Sequence, residues 1–76
     1  MIDVETYSLN LDAHIIYLEK IYRNDELDKQ EVKQIQRDLG YKLEKILEHY
    51  DAMNNDDIKH LLTKIAKVSK LMGNAK

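Results

Sequence analysis

The spacing of apolar residues between positions 29 and 52 is the feature that most constrains the fold of this chain. Apolar side chains recur there at steps of three or four residues, at Val32, Ile35, Leu39, Leu43, Ile46 and Tyr50. The mean step is about 3.6 residues, the period of an α-helix that buries one face in a globular protein. Just before this segment, Asp28 and Glu31 have the spacing of a capping box, in which two residues satisfy the free N–H groups of a helix start. The pattern predicts a long second helix over about residues 29–52.

A first helix is predicted over about residues 8–23. Leu11, Ile15 and Leu18 share one face of that segment at steps of four and three residues. Its start is less sharply defined than that of the second helix. Three residues could serve as its N-terminal cap: Asp3, Thr6 and Ser8.

A third helix is predicted over about residues 56–72. Its apolar positions recur at helical spacing, at Ile58, Leu61, Leu62, Ile65, Val68 and Met72. Asn54 and Asp57 repeat the capping spacing, and Asp57 also suits the positive end of the helix dipole. We expect Gly73 to end the helix, because glycine commonly follows a helix C-terminus.

These elements define an all-α fold. A length of 76 residues allows one domain with a thin core. The chain contains no proline and no cysteine, and 43% of its residues are apolar, so its stability must come from packed helices and not from disulfide bonds. Short connections make consecutive helices antiparallel neighbours. We therefore predict a single domain, 1–76, that forms a small up-down-up three-helix bundle, an antiparallel helical hairpin plus a third helix. The second helix is predicted to be longer than the third, so part of its apolar face could extend past its neighbours and pair with a second copy.

The acidic start of the chain and the lack of a long apolar stretch favour a cytoplasmic protein. The acidic start lacks the basic segment and apolar run of a signal peptide. No apolar stretch approaches the roughly 18 residues that a membrane span needs. We therefore expect no membrane association.

Charge is distributed unevenly along the chain. All fourteen acidic residues lie before Ile58, and the last 19 residues contain five lysines and no acid. The first 57 residues carry a net charge of −7 and the remainder carries +5. Such separation favours ion pairs between segments, or acidic and basic faces offered to partners.

The sequence offers little to catalysis. His14, His49 and His60 lack close helical spacing to one another, and no cysteine could complete a zinc site. Ser8 and Ser69 are the only serines, and neither lies in a glycine-flanked turn. There is also no glycine-rich loop for phosphate. We expect no catalytic residue, no cofactor and no metal.

One segment resembles a known enzyme signature. The stretch G-Y-K-L-E-K-I-L-E-H-Y, residues 40–50, resembles the S-x-x-L-D-x-L-I-x-x-Y motif in the second helix of short aspartyl-phosphate phosphatases that oppose sporulation phosphorelays. Gly40 stands at the serine position and Glu44 at that of the key aspartate. The apolar frame of the motif is matched by Leu43, Ile46, Leu47 and Tyr50. The resemblance implies dephosphorylation of a response regulator that depends on Glu44.

Two further alternatives come from the charged helices. A run of charged amphipathic helices that ends in a lysine-rich helix is similar in character to small bacteriocin immunity proteins. The outer face of the third helix could also contact nucleic-acid phosphates through Lys59, Lys64, Lys67 and Lys70. The rest of the chain is acidic and would repel a nucleic acid, so we do not expect this partner.

Gly40 and Tyr41 are the most unusual residues of the second helix. Glycine inside a helix costs about 1 kcal/mol relative to alanine. Gly40 is predicted near the edge of the apolar face, where close packing of a neighbouring helix of the same chain, or a notch for another chain, would offset that cost. Tyr41 is predicted to project from the polar side.

We therefore predict a small non-enzymatic protein–protein interaction module, a regulator, inhibitor or chaperone-like protein that acts by masking a surface of another protein. Exposed tyrosine and apolar residues on an otherwise polar face favour such a role. The predicted partner-binding residues are Ile16, Arg37, Gly40, Tyr41, Glu44 and Glu48.

Overall fold

Three α-helices make up nearly all of the structure, a computed structural model that describes residues 2–24 and 29–74. Helix α1 spans Val4–Asn24, α2 spans Lys29–His49 and α3 spans Asn55–Asn74, with a 3₁₀ turn at Tyr50–Ala52 between the last two. Within this described part there is no β-strand. The predicted all-α fold is therefore confirmed.

Helices α1 and α3 run parallel and pack closely. Ser8 contacts His60, and Asp12, one turn further along α1, contacts Lys64, one turn further along α3. From the first contact to the second, the residue number increases by four in both helices. Two helices joined in this way must point the same way.

Helices α1 and α2 run antiparallel. Tyr7 lies beneath the ammonium group of Lys42, whereas His14, two turns later in α1, contacts Asp38, one turn earlier in α2. The contacts therefore advance in opposite directions along the two helices. Together with the parallel pair, this arrangement is the up-down-up bundle that the sequence predicts.

Asp3 caps the first helix. Its two carboxylate oxygens accept hydrogen bonds from the backbone N–H and the hydroxyl of Thr6, at 3.1 and 2.8 Å. These bonds satisfy one of the free N–H groups of the first turn and lower the pKa of Asp3 below its usual value. Because Asp3 is the cap, α1 begins at Val4, four residues before the predicted start.

Asn54 caps the third helix, as the sequence predicts. Its side-chain oxygen accepts a hydrogen bond of 2.7 Å from the backbone N–H of Asp56. The predicted stop at Gly73 is wrong, because the α-helical conformation continues through this residue to Asn74 and Gly73 does not take the left-handed conformation of a C-terminal cap. The capping box predicted at Asp28 lies outside the described residues.

The second and third helices are nearly equal in length. The α-helical part of α2 ends at His49 after 21 residues, and the chain then tightens into the 3₁₀ turn, where the N–H of Met53 donates to the carbonyl of Tyr50 at 3.2 Å. Helix α3 contains 20 residues. The argument that a longer second helix extends past the third is therefore wrong.

The core is a single cluster drawn from all three helices. Its buried apolar members are Leu11, Ile15, Leu18, Ile35, Leu39, Ile46, Leu61, Ile65 and Val68. The predicted apolar face of α2 is shifted, because Lys42 occupies the buried position between Leu39 and Ile46 while Leu43 is exposed. Leu71, which is not among the apolar positions that predict the third helix, also packs against the core.

Candidate functional site

An apolar groove lies between the end of α2 and the start of α3. Its volume is about 350 Å³, and all of its lining is apolar: Leu43, Ile46, Leu47, Tyr50, Ile58 and Leu62. Four of these side chains remain well exposed, with fractional exposures of 38% for Leu43, 70% for Leu47, 54% for Tyr50 and 40% for Leu62. A small helical protein exposes single apolar residues routinely, but a contiguous set of four indicates a binding surface.

The groove follows from a second apolar stripe on α2. Gly40, Leu43 and Leu47 are spaced by three and four residues, so they share one face of the helix. Tyr50, three residues on, is the first residue of the 3₁₀ turn and lines the same groove. The core of α2 is formed by a different set, Ile35, Leu39, Lys42 and Ile46, at spacings of four, three and four. The stripe Gly40–Tyr50 is therefore free to face outward beside α3.

Gly40 lies in open space. A Cβ atom added at this position meets no heavy atom within 4 Å. The interpretation that Gly40 allows close packing of a neighbouring helix of the same chain is therefore wrong. Nothing within the described chain offsets the helix penalty of this glycine, and it leaves a notch in the exposed stripe.

Charged residues border the stripe along the outer edge of α2. Arg37 and Glu44 are exposed on α2 seven residues apart, which is two helical turns, and Asp51 is exposed in the 3₁₀ turn that follows. The edge is therefore basic at its start and acidic at its middle and end. Lys59, at the beginning of α3, is exposed near the opposite side of the groove.

A partly buried ionic cluster joins α1 to α2. Lys42 is only 2% exposed, and its ammonium group donates hydrogen bonds of 2.6 Å to both carboxylate oxygens of Asp38. The Nε2 atom of His14 lies 2.7 Å from one of the same oxygens. Partial burial of Asp38 acts to raise the pKa of its carboxyl, but the hydrogen bonds from Lys42 and His14 outweigh it and lower that pKa.

Tyr7 and Tyr41 extend this cluster to the surface. The ammonium group of Lys42 lies 4.9 Å from the centre of the Tyr7 ring, a cation–π distance. Partial burial, followed by the charge interaction with Tyr41 and a hydrogen bond with its side chain, raises the pKa of Tyr7. Tyr41 is half exposed, as predicted from its place on the polar side of α2, and its ring lies 5.6 Å from the ammonium group of Lys45.

Ser8 and His60 form a second polar cluster between α1 and α3. The hydroxyl oxygen of Ser8 lies 3.0 Å from Nε2 of His60, as in a nucleophile and its general base. Lys64, however, donates to the same hydroxyl oxygen at 2.8 Å and to Asp12 at 2.7 Å. An ammonium group that binds this oxygen reduces its nucleophilicity, so we interpret the cluster as a polar clamp between the helices.

The clamp also corrects the predicted lysine face of α3. The side chain of Lys64 points toward α1 and donates hydrogen bonds to Ser8 and Asp12. The other three lysines, Lys59, Lys67 and Lys70, are exposed. The charge separation along the sequence thus appears in the structure as an ion pair between an early acid and a late lysine. Sequence reasoning missed the cluster because its members are 52 and 56 residues apart.

The residues predicted to bind a partner do not form one surface. Arg37, Tyr41, Glu44 and Glu48 are exposed along the outer side of α2. Ile16 is exposed on α1, one turn after Asp12, and therefore lies toward α3. It is thus separated from the α2 residues, which extend from the groove edge to Tyr41.

Neither a metal site nor a membrane span is recognisable in residues 2–24 and 29–74. No three histidine, aspartate or glutamate side chains of this part are grouped so that they could hold a metal ion. No helix in it is long and apolar enough to cross a membrane. Comparisons of the chain with protein-family profiles, with curated proteins and with solved structures find no match.

Proposed function

We propose that this chain is a non-enzymatic protein–protein interaction module whose binding surface is the apolar groove between α2 and α3. The observation that carries the proposal is the exposure of Leu43, Leu47, Tyr50 and Leu62 around one groove without a polar lining atom. Covering these side chains would remove apolar surface from water, which is the main favourable term in protein association.

The shape of the groove suits an amphipathic helix as its occupant. Helices α2 and α3 form its walls. A helix of the partner that lies between them would pack its side chains into the groove as ridges pack into grooves between helices. Its apolar residues would contact Leu47 and Leu62, and its polar residues would face solvent and the charged edge of α2.

The finer part of the proposal is a regulator or inhibitor that acts in the cytoplasm by masking a partner's surface. It follows from the small size, the charge separation and the absence of recognisable catalytic motifs in the sequence. The outer side of α2 with Arg37, Tyr41 and Glu48 is the rival surface for the same function.

Affinity capture with the purified chain, followed by calorimetry with the captured partner, tests the proposal. Leu47→Glu places a charge in the groove, and Leu9→Glu makes the same change at an exposed position on α1. We expect Leu47→Glu to weaken binding at least about tenfold and Leu9→Glu to leave it unchanged. If Tyr41→Ala abolished binding and Leu47→Glu did not, the rival surface would be the correct one.

A further inference from the structure

The apolar stripe of α2 and the 3₁₀ turn after it has spacings that are symmetric about its own centre. Its members Gly40, Leu43, Leu47 and Tyr50 are spaced by three, four and three residues, which is the same sequence of steps in either direction. A surface with this property can face itself across a two-fold axis, as an isologous dimer requires. The steps are also those of a coiled-coil seam, in which side chains of two helices interlock.

We propose that the groove binds α2 of a second copy of this chain, antiparallel to its own α2. This inference rests on the proposed function, because it names the helix that the groove accepts. In the two-fold arrangement centred near position 45, Leu43 packs against Leu47 of the partner subunit. The same symmetry sets Gly40 opposite Tyr50 of the partner subunit.

The pairing of Gly40 with a tyrosine explains the notch. Tyr50 is a large ring that is 54% exposed, and Gly40 offers open space of the kind such a ring would fill. A large residue on one copy then meets the smallest residue on the other, twice in each dimer. Any side chain beyond Cβ at position 40 would compete with the ring for that space.

Charges on the outer edge of α2 support the same antiparallel arrangement. Arg37 and Asp51 lie seven residues to either side of Glu44, so the two-fold axis sets Arg37 of each copy beside Asp51 of the partner subunit. These two opposite-charge contacts favour the antiparallel orientation. Glu44 lies near the axis, where it meets its own symmetry mate and opposes association.

The available area indicates a weak dimer. Leu43, Leu47, Tyr50 and Leu62 together expose about 400 Å² of largely apolar surface in each copy, estimated from their fractional exposures. Two such surfaces supply about 800 Å², which is less than the roughly 1,200 Å² at the lower end of the range for stable specific interfaces, and the charged edges add to this area. We therefore expect dissociation in the micromolar range, with monomer and dimer both populated in ordinary solutions.

Sedimentation equilibrium of the purified chain over a wide concentration range tests the proposal. The wild type is expected to show a reversible monomer–dimer equilibrium. Gly40→Leu fills the notch but meets open space in the monomer, so it should stay folded and lose dimerisation. Glu44→Gln removes the repulsion at the axis and should strengthen dimerisation several-fold, while Leu9→Glu, on α1, should leave it unchanged.

A cross-linking experiment tests the orientation. The chain has no cysteine, so Glu44→Cys introduces a single thiol near the axis, and Thr6→Cys provides an exposed control on α1. Mild oxidation should link two copies through position 44 and not through position 6 at the same concentration.

Each outcome separates the dimer from the broader function. A wild type that stays monomeric at millimolar concentration would overturn the dimer, while the capture experiment with Leu47→Glu would still decide the proposed function. A dimer that persists in Gly40→Leu, or that does not cross-link through position 44, would overturn the antiparallel pairing of α2. Circular dichroism of every variant confirms that lost association is not lost folding.

Discussion

Lys42 is buried, with its ammonium nitrogen 2.6 Å from both carboxylate oxygens of Asp38, one helical turn earlier in α2. The pair connects α2 to α1 through His14 and Tyr7. A charge in this position needs its counter-charge, because an unpaired ammonium group in a protein interior loses its hydration without compensation. The other buried residues of the part of the chain with described side chains are apolar.

We expect the two members of this pair to respond differently to replacement. Asp38→Asn leaves the buried Lys42 charge without a counter-charge and should lower the free energy of unfolding by about 3 kcal/mol. Lys42→Met keeps the packing of the aliphatic stem and removes the buried charge, so it should cost no more than about 1 kcal/mol. Urea denaturation of both variants measures the difference, and a larger cost for Lys42→Met would contradict this account of the pair.

Acid should weaken the same contact. The pKa of Asp38 is lower in the folded chain than its ordinary value of about 3.8. The ionised carboxylate therefore stabilises the fold fully at pH values above about 3.8, and this stabilisation is lost as the pH falls through the pKa of the folded state. We expect the difference in unfolding free energy between the wild type and Asp38→Asn to shrink between about pH 5 and pH 2. Urea denaturation across this range measures it. A difference that stays constant with pH would show that the charge of Asp38 is not responsible.

Gly40→Ala should stabilise the monomer. The added methyl group meets no atom within 4 Å, and alanine is favoured over glycine in a helix by about 1 kcal/mol. Thermal unfolding, at a protein concentration too low for self-association, measures this change in the free energy of unfolding. Gly73→Ala, which also adds a methyl group in open space but in the last turn of α3, should give a smaller gain. A loss of stability in Gly40→Ala would mean that the backbone there is not an ordinary helix.

Asn54→Ala should lower the free energy of unfolding by about 1 kcal/mol, because the N–H of Asp56 loses its acceptor at the start of α3. Asn54→Asp keeps an oxygen at the same place and should retain most of the stability. Denaturation of the two variants side by side separates the cap from other effects of the substitution. Equal losses in both would point away from the capping bond.

The fold was accessible from sequence because helix patterns are local. The apolar period placed all three helices, and the Asn54 cap marked the start of α3 correctly. The ends were less accurate, since three candidate caps stood before α1 and since helical conformation continues through Gly73. Those choices depend on hydrogen bonds and backbone angles that composition does not reveal.

The candidate site was harder to predict because it depends on which of two adjacent faces of α2 is buried. Leu43 looks like a core residue and Lys42 like a surface residue, yet the structure reverses them. The reversal requires Asp38 and the ring of Tyr7 to lie against the ammonium group, and Tyr7 comes from another helix. The spacing of Gly40, Leu43, Leu47 and Tyr50 was visible in the sequence, but only the burial of Lys42 shows that this stripe faces outward.

The central claim is that the groove between α2 and α3 is the binding surface of this chain, and methyl NMR tests it most directly. In a dilution series of the leucine-labelled chain, the methyl signals of Leu43, Leu47 and Leu62 should shift with concentration while those of the buried Leu11 and Leu18 stay fixed. Signals that moved around Leu9 and not around Leu47, or groove signals unchanged up to millimolar concentration and in the presence of a captured partner, would contradict the claim.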